Sequence, residues 1–326
     1  THRTEMMALS VGVVMDPIES IKIVKDSTFA MLLEAQRRGH AVWYMEQSDL
    51  RMVSGQAYSR QRRLTLFDDP AGWFEFGEER DTPLGELDVI LMRKDPPFDM
   101  TYIMTTYLLD EPARQGTLVV NPPETLRNFN EKMATTLFPQ CCVPMLVSRE
   151  IAMLRQFVLE AGHAVIKPVD SMGGESIFSV HAHDKNLNVI LETVTRRGSL
   201  FVMAQHFIPE ITSGDKRILM VNGSAVPYSL ARIPREGEFR GNLAAGGTGV
   251  GQPLSERDFW IAGQVAPWLR ENGILFAGLD VIGDYLTEIN ITSPTCIREL
   301  DAQFDLNISA GLFDEIEKRC IAKPQS

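Results

Sequence analysis

Short apolar runs and stretches of helical spacing alternate along the first third of the chain. Residues 9–15 (LSVGVVM) have strand length and end at Asp16-Pro17. From Ser27 to Arg38 apolar residues recur at helical spacing, which predicts a helix with Ser27 as its N-cap and Gly39 beyond its end. HAVWYM (40–45), a strand within 87–99 that runs into a loop, and TLVVN (117–121) repeat the buried-strand pattern. Residues 100–115 carry helical spacing. Strands and helices in this order predict an open, parallel α/β sheet.

The character changes near Asn121, and a boundary is expected near residue 128. Residues 124–138 read as helical, VPMLV (143–147) as a strand and 149–162 as a helix. HAVIKPV (163–169) and SIFSV (176–180) read as a hairpin around a glycine-containing turn. Strands are expected at 202–208, 215–223, 225–233, 276–283 and 285–292, and helices at 255–272 and 309–320. The polar, glycine-rich stretch 234–252 has almost no periodicity and reads as a lid or a connector. This half is therefore α+β with antiparallel strands.

At 326 residues, more than one core is expected. The chain is 44% hydrophobic and 23% charged, the balance of a globular protein, and its net charge of −11 argues against a nucleic-acid partner. Arg60, Arg62 and Arg63 lie in a polar stretch and read as a solvated loop. An acidic chain that binds a polyanion has to gather positive charge locally. Cysteines 141, 142, 296 and 320 have neither a disulfide nor a zinc spacing, which fits a reducing, cytoplasmic setting. The first apolar run lacks a cleavage pattern, and no run approaches the ~20 residues of a membrane span.

Three constellations carry chemistry. In FAGLDVIGDYLTEINIT (276–292), Glu288 and Asn290 share one strand face. A three-residue loop at 283–285 would set Asp280 opposite Glu288. Three oxygen donors without His or Cys suit magnesium; an outward-facing polar strand is the competing reading. In HAVIKPVDSMGG (163–174), Lys167 interrupts an apolar strand and calls for an anion, and the glycine-containing turn is able to cradle phosphate; a snorkelling lysine on an ordinary hairpin is the alternative. Arg217 and Arg232, on adjacent strands, could hold carboxylates or developing phosphate charge, or simply form surface salt bridges.

Together these segments resemble the prokaryotic glutathione synthetase family of the ATP-grasp superfamily, from about Gly12 to about Glu317. The most specific pieces are MDPI (15–18), KDSTFAMLLEAQRRG (25–39), VILMRKDPPFD (89–99), RGNLAAGG (240–247) and GLDVIGDYLTEINITSPTCIRE (278–299). The resemblance implies an N-terminal α/β domain (1–128), an ATP-grasp lid subdomain (129–203) and a catalytic subdomain (204–326). It implies ATP-dependent joining of γ-glutamylcysteine and glycine, magnesium or manganese, and a homodimer or homotetramer, with no membrane or nucleic-acid partner. Lys132 and Lys167 would bind ATP phosphates beneath a loop of Ser171, Met172, Gly173 and Gly174. The segment Gln205, His206, Phe207 and Ile208 would hold adenine, with Asp215 also at the nucleotide. Asp280, Glu288 and Asn290 would bind the metal, and Arg217 and Arg232 would contact the reacting carboxylate. Lys25, Arg240, Asn242, Gly246, Gly247, Ser293 and Thr295 would line the substrate sites. The family pattern reads GMGG where this chain has Ser171-Met172-Gly173-Gly174, and it has a basic residue where this chain has Thr248. Another ATP-grasp ligase, or an ATP-binding regulator without catalysis, is the alternative implied function.

Overall fold

The computed structural model describes residues 8–170, 176–239 and 248–321. The first sheet consists of β1 (Ser10–Val14), β2 (Ala41–Met45), β3 (Leu50–Val53), β4 (Gln56–Leu66), β5 (Phe74–Pro83), β6 (Val89–Met92) and β7 (Leu118–Val120), of which β1, β2, β6 and β7 are the short apolar runs. Its path is β3-β4-β2-β1-β6-β7, with β5 on β4. β2, β1, β6 and β7 are parallel as expected, whereas β3, β4 and β5 pair antiparallel.

That antiparallel ribbon corrects the reading of Arg60, Arg62 and Arg63, which lie on β4. Arg62 lies over the Phe76 ring at 3.9 Å and Arg80 over Trp43 at 3.7 Å. Cation–π stacking and salt bridges allow a polar strand to form without apolar alternation.

α1 (Ser27–Arg37) and α2 (Met100–Arg114) flank the sheet, and α3 (Pro123–Asn128) follows β7. The N-cap of α1 is Asp26, whose carboxylate accepts from Phe29 N, and Ser27 is buried behind it. The predicted helix 124–138 stops at Asn128 and resumes only as short 3-10 turns. Asn130 explains the break: its side-chain oxygen accepts from the amides of Lys132 and Met133.

The second sheet has β8 (Met145–Ser148), β9 (His163–Pro168), β10 (Phe178–His181) and β11 (Val202–His206), in the order β10-β9-β11-β8. α4 (Ile151–Ala161) and α5 (Leu187–Val194) cover one face, and with Ala164, Ile166 and Val180 they form a core of their own.

The third sheet contains β12 (Asp215–Val221), β13 (Ser224–Ile233), β14 (Thr248–Pro253), β15 (Phe276–Ile282) and β16 (Tyr285–Asn290), ordered β14-β13-β12-β15-β16 and antiparallel throughout. β14 corrects the expectation of a structureless 234–252; backbone pairing to β13 orders a glycine-rich edge that has no side-chain signal. α6 (Glu256–Glu271), α7 (Ile297–Phe304) and α8 (Ile308–Ile321) complete the chain.

The first and third sheets share their cores. Val11, Val13 and Val89 pack with Leu219, Leu230 and Phe313, while Met45, Ile90 and Met92 join Ile218, Met220 and Ile261. Together they form one body, on which the second sheet rests as a separate unit.

Candidate active site

A cleft of about 1100 Å³ lies where the three sheets meet. Strand alternation decides what faces it. On β9, Ala164 and Ile166 point into the small core, so Val165 and Lys167 point to the cleft. On β12, Lys216 turns away to Asp258 of α6, at 2.7 Å, and Asp215 and Arg217 face the cleft.

The β15–β16 hairpin sets Asp280 opposite Glu288, as the sequence predicted, but by a different route. The turn has two residues, because Ile282 pairs with Tyr285. A bulge at Thr287, whose hydroxyl donates to Asp280 O at 3.1 Å, restores the pairing. Gly278 allows the Arg217 side chain to cross β15: a Cβ there would lie 2.8 Å from Arg217 Cδ and 2.9 Å from Pro294 Cβ.

Asp280 is clamped by two guanidinium groups. Arg217 Nε lies 2.6 Å from Oδ1, and an Arg232 terminal nitrogen lies 3.2 Å from Oδ2. Burial pushes its pKa up, but Arg217 and Arg232 prevail and hold it well below the usual carboxylate range. Arg232 also reaches Asp215 Oδ2 at 2.8 Å. Burial raises Asp215 to about 6, against the pull of Arg232. Its Oδ1 is buried without a hydrogen-bond partner among the described residues.

The two lysines are buried differently. Lys167 is 4% exposed, and burial lowers its pKa, outweighing the upward pull of Glu288 and Asp215. Lys132, 2% exposed, has its ammonium 3.1 Å from Glu131 Oε1 and 3.6 Å from Glu288 Oε1.

Gln205, Phe207 and Ile208 line the cleft, whereas the His206 ring turns toward Phe157 of α4, with centroids 5.6 Å apart. The backbone amides of His206 and Phe207 are taken by Pro144 O and His163 O. Phe207 stacks on His163 at 3.9 Å, which in turn stacks on His181. Lys25, Ser293 and Thr295 line the opposite end, where the Ser293 hydroxyl donates to Asp95 Oδ1 at 2.6 Å. Ser171, Met172, Gly173, Gly174, Arg240, Asn242, Gly246 and Gly247 lie outside the described residues, as does the side chain of Thr248.

Two residues escaped the sequence reading. Glu131 lines the cleft, and the Asn290 amide is best satisfied with its nitrogen donating to Glu131 Oε2, at 2.7 Å, and its oxygen accepting from Arg217. Burial, reinforced by Glu288, pushes Glu131 up to about 7. Arg93, 6% exposed, donates to Thr28 Oγ1 and Pro294 O, both at 2.9 Å, and so braces the Ser293–Thr295 loop. An arginine directly after a buried strand was the available signal for Arg93.

Comparison with known proteins agrees with this architecture. The D-cycloserine synthetase DcsG superimposes with a TM-score of 0.67 at 13% identity, over 95% of this chain and 100% of that one. The ATP-grasp ligase PsnB, complexed with minimal precursor, Mg and ADP, gives 0.62 at 14% identity, over 95% and 98%. The fold is thus that of the ATP-grasp ligases, a central cleft between a small sheet and a larger body. Two family descriptions then match nearly the whole chain: "Prokaryotic glutathione synthetase, N-terminal domain" over residues 9–127 and "Prokaryotic glutathione synthetase, ATP-grasp domain" over 131–305. Glutathione synthetase of Pseudomonas putida is 58% identical over 317 residues, 97% of this chain and 100% of the relative. That of Shewanella oneidensis is 55% identical over 311 residues, 95% and 99%. The chain belongs to the prokaryotic glutathione synthetase family. It is an ATP-dependent ligase of glutathione biosynthesis.

Proposed function

We propose that the enzyme joins the cysteinyl carboxylate of γ-glutamylcysteine to the amine of glycine through an acyl phosphate, releasing ADP and phosphate. The observation that carries this reading is Lys167, a buried ammonium facing the cleft within electrostatic range of Glu288 and Asp215. A cation buried at such cost fits a site completed by a polyanion.

Among the described residues no three His, Cys, Asp or Glu side chains close into a metal cluster. Asp280, Glu288 and Asn290 nonetheless form an all-oxygen set, which fits a hard cation that shares its shell with phosphate and water. They would hold magnesium, with manganese the alternative. When bound, the ion neutralises charge on the β- and γ-phosphates. The PsnB complex with Mg and ADP supports a cation at this kind of cleft.

Lys167 holds the transferring phosphoryl group, and Asp215 Oδ1, which has no hydrogen-bond partner among the described residues, accepts from a ribose hydroxyl. Phe207, fixed by its stack on His163, and Ile208 pack the adenine. Arg217 and Arg232, held in place by Asp280, direct their remaining N–H groups at the substrate carboxylate as it attacks the γ-phosphorus. The same donors stabilise the oxyanion that forms when the glycine nitrogen attacks the acyl carbon and phosphate departs. Lys25 holds the dipeptide, and Ser293 and Thr295 flank the acceptor. The division into units 1–128, 129–203 and 204–326, a homo-oligomeric assembly and a cytoplasmic setting complete the proposal. Four free cysteines support that setting.

Phosphate release measured with ATP, dipeptide and glycine, each omitted in turn, tests the substrates. Release that does not depend on glycine would redirect the assignment to another acceptor. Glu288→Ala is expected to abolish phosphate release with the fold intact, and near-normal turnover at saturating magnesium would remove the metal assignment.

A further inference from the structure

Glu131 holds an uncommon place. Its carboxylate touches the Lys132 ammonium through one oxygen, at 3.1 Å, and the Asn290 amide through the other, at 2.7 Å. It thereby links an ammonium suited to phosphate with an oxygen donor suited to a cation. Its backbone carbonyl accepts from Ile289 N at 2.9 Å, which fixes the residue against β16. Its neighbour Asn130 donates to Val169 O at 2.8 Å, just beyond the strand that carries Lys167. The segment that carries Glu131 is thus anchored from both sides of the cleft.

We propose that Glu131 is a positioning residue that couples nucleotide binding to divalent-cation binding. The proposal rests on the assignment of Asp280, Glu288 and Asn290 given above. In the free protein Glu131 and Glu288 occupy the Lys132 ammonium, so incoming phosphates compete with two carboxylates for it. With a divalent cation beside Glu288 and Asn290, the negative charge at Lys132 is drawn toward that ion and the ammonium is released to phosphate. Each ligand then favours the other by the same factor, as linkage requires.

Calorimetric titration of ADP into wild type and Glu131→Gln tests this at pH 8, in EDTA and in saturating magnesium. Metal-free ADP is expected to bind several-fold tighter to E131Q, because a competitor for Lys132 has lost its charge. The factor by which magnesium tightens ADP is expected to shrink at least about fivefold, the lower end of ordinary couplings. Manganese binding to the ADP complex, followed by electron paramagnetic resonance, should weaken correspondingly, and Glu131→Asp should recover part of the coupling. Unchanged metal-free affinity with an undiminished magnesium effect overturns the proposal. So does a parallel weakening of metal-free and metal-loaded binding, which is what lost packing produces. If wild type itself gains nothing from magnesium, the metal assignment has failed; if it gains and E131Q gains equally, only the role of Glu131 has.

Discussion

Lys167 and Lys132 are both buried ammonium groups with opposite surroundings. Lys132 shares its charge with Glu131 and Glu288, whereas Lys167 has its pKa lowered by burial. An ammonium kept in that state costs stability until an anion arrives. Lys167→Met is therefore expected to leave the melting temperature of the ligand-free protein unchanged or higher. It should weaken ATP binding roughly 10- to 100-fold, the value of a charged hydrogen bond of about 1.5–3 kcal/mol. The sign with pH follows. The unfolded chain holds the Lys167 proton more tightly than the native state, so wild-type stability gains as pH rises toward the ordinary 10.5, and the variant loses that gain. Denaturant midpoints between pH 7 and 10 measure it. Lys167 was legible because a lysine inside HAVIKPV violates the apolar pattern. Glu131 violates no pattern, and its role depends on contacts with β16, more than 150 residues away in sequence.

At the scale of elements, apolar periodicity located the buried strands and the long helices but not β3, β4, β5 or β14, and other differences lie where side chains bonded to the backbone. Asp26 rather than Ser27 caps α1, and the Asn130 amide ends the run after α3. The bulge at Thr287 depends on a hydroxyl reaching Asp280 O, which strand alternation does not encode. The seam between α1 and α8 shows a further charge device that spacing did not reveal. Glu34 accepts from Arg37, Arg38 and Asn307, and Arg38 continues to Glu317 of α8 at 2.9 Å. Burial pushes Glu34 up, but these hydrogen bonds outweigh it and bring the carboxyl to about 2. Its contribution is present above the ordinary 4.5 and is lost as pH falls toward about 2. Glu34→Gln should cost about 1–3 kcal/mol at pH 7 and progressively less below pH 4.5. Urea midpoints at pH 7 and pH 3 make the comparison, and an equal loss at both would contradict the assignment.

For the whole molecule, the sequence suggested a break near residue 128, and family matches change over between residues 127 and 131. Packing adds a second fact: the first and third sheets share cores, and the second has a core of its own. Apolar periodicity reports that a face is buried without reporting against which element, so the shared cores of the first and third sheets were not legible. Asn121, at the end of β7, makes the polar join within the body. Its amide nitrogen donates to Phe276 O at 2.9 Å and Ile291 O at 2.7 Å, and its oxygen accepts from Leu275 N at 3.0 Å. Asn121→Ala would leave these backbone groups buried and unpaired. The expected loss is about 3 kcal/mol. Because β9 and β11 sit on a separate core, hydrogen exchange should accelerate in β7, β15 and β16 while the amides of β9 and β11 keep their protection. The same acceleration in all three sheets would mean that the small unit unfolds with the body, and the cleft would then join two parts of a single cooperative unit.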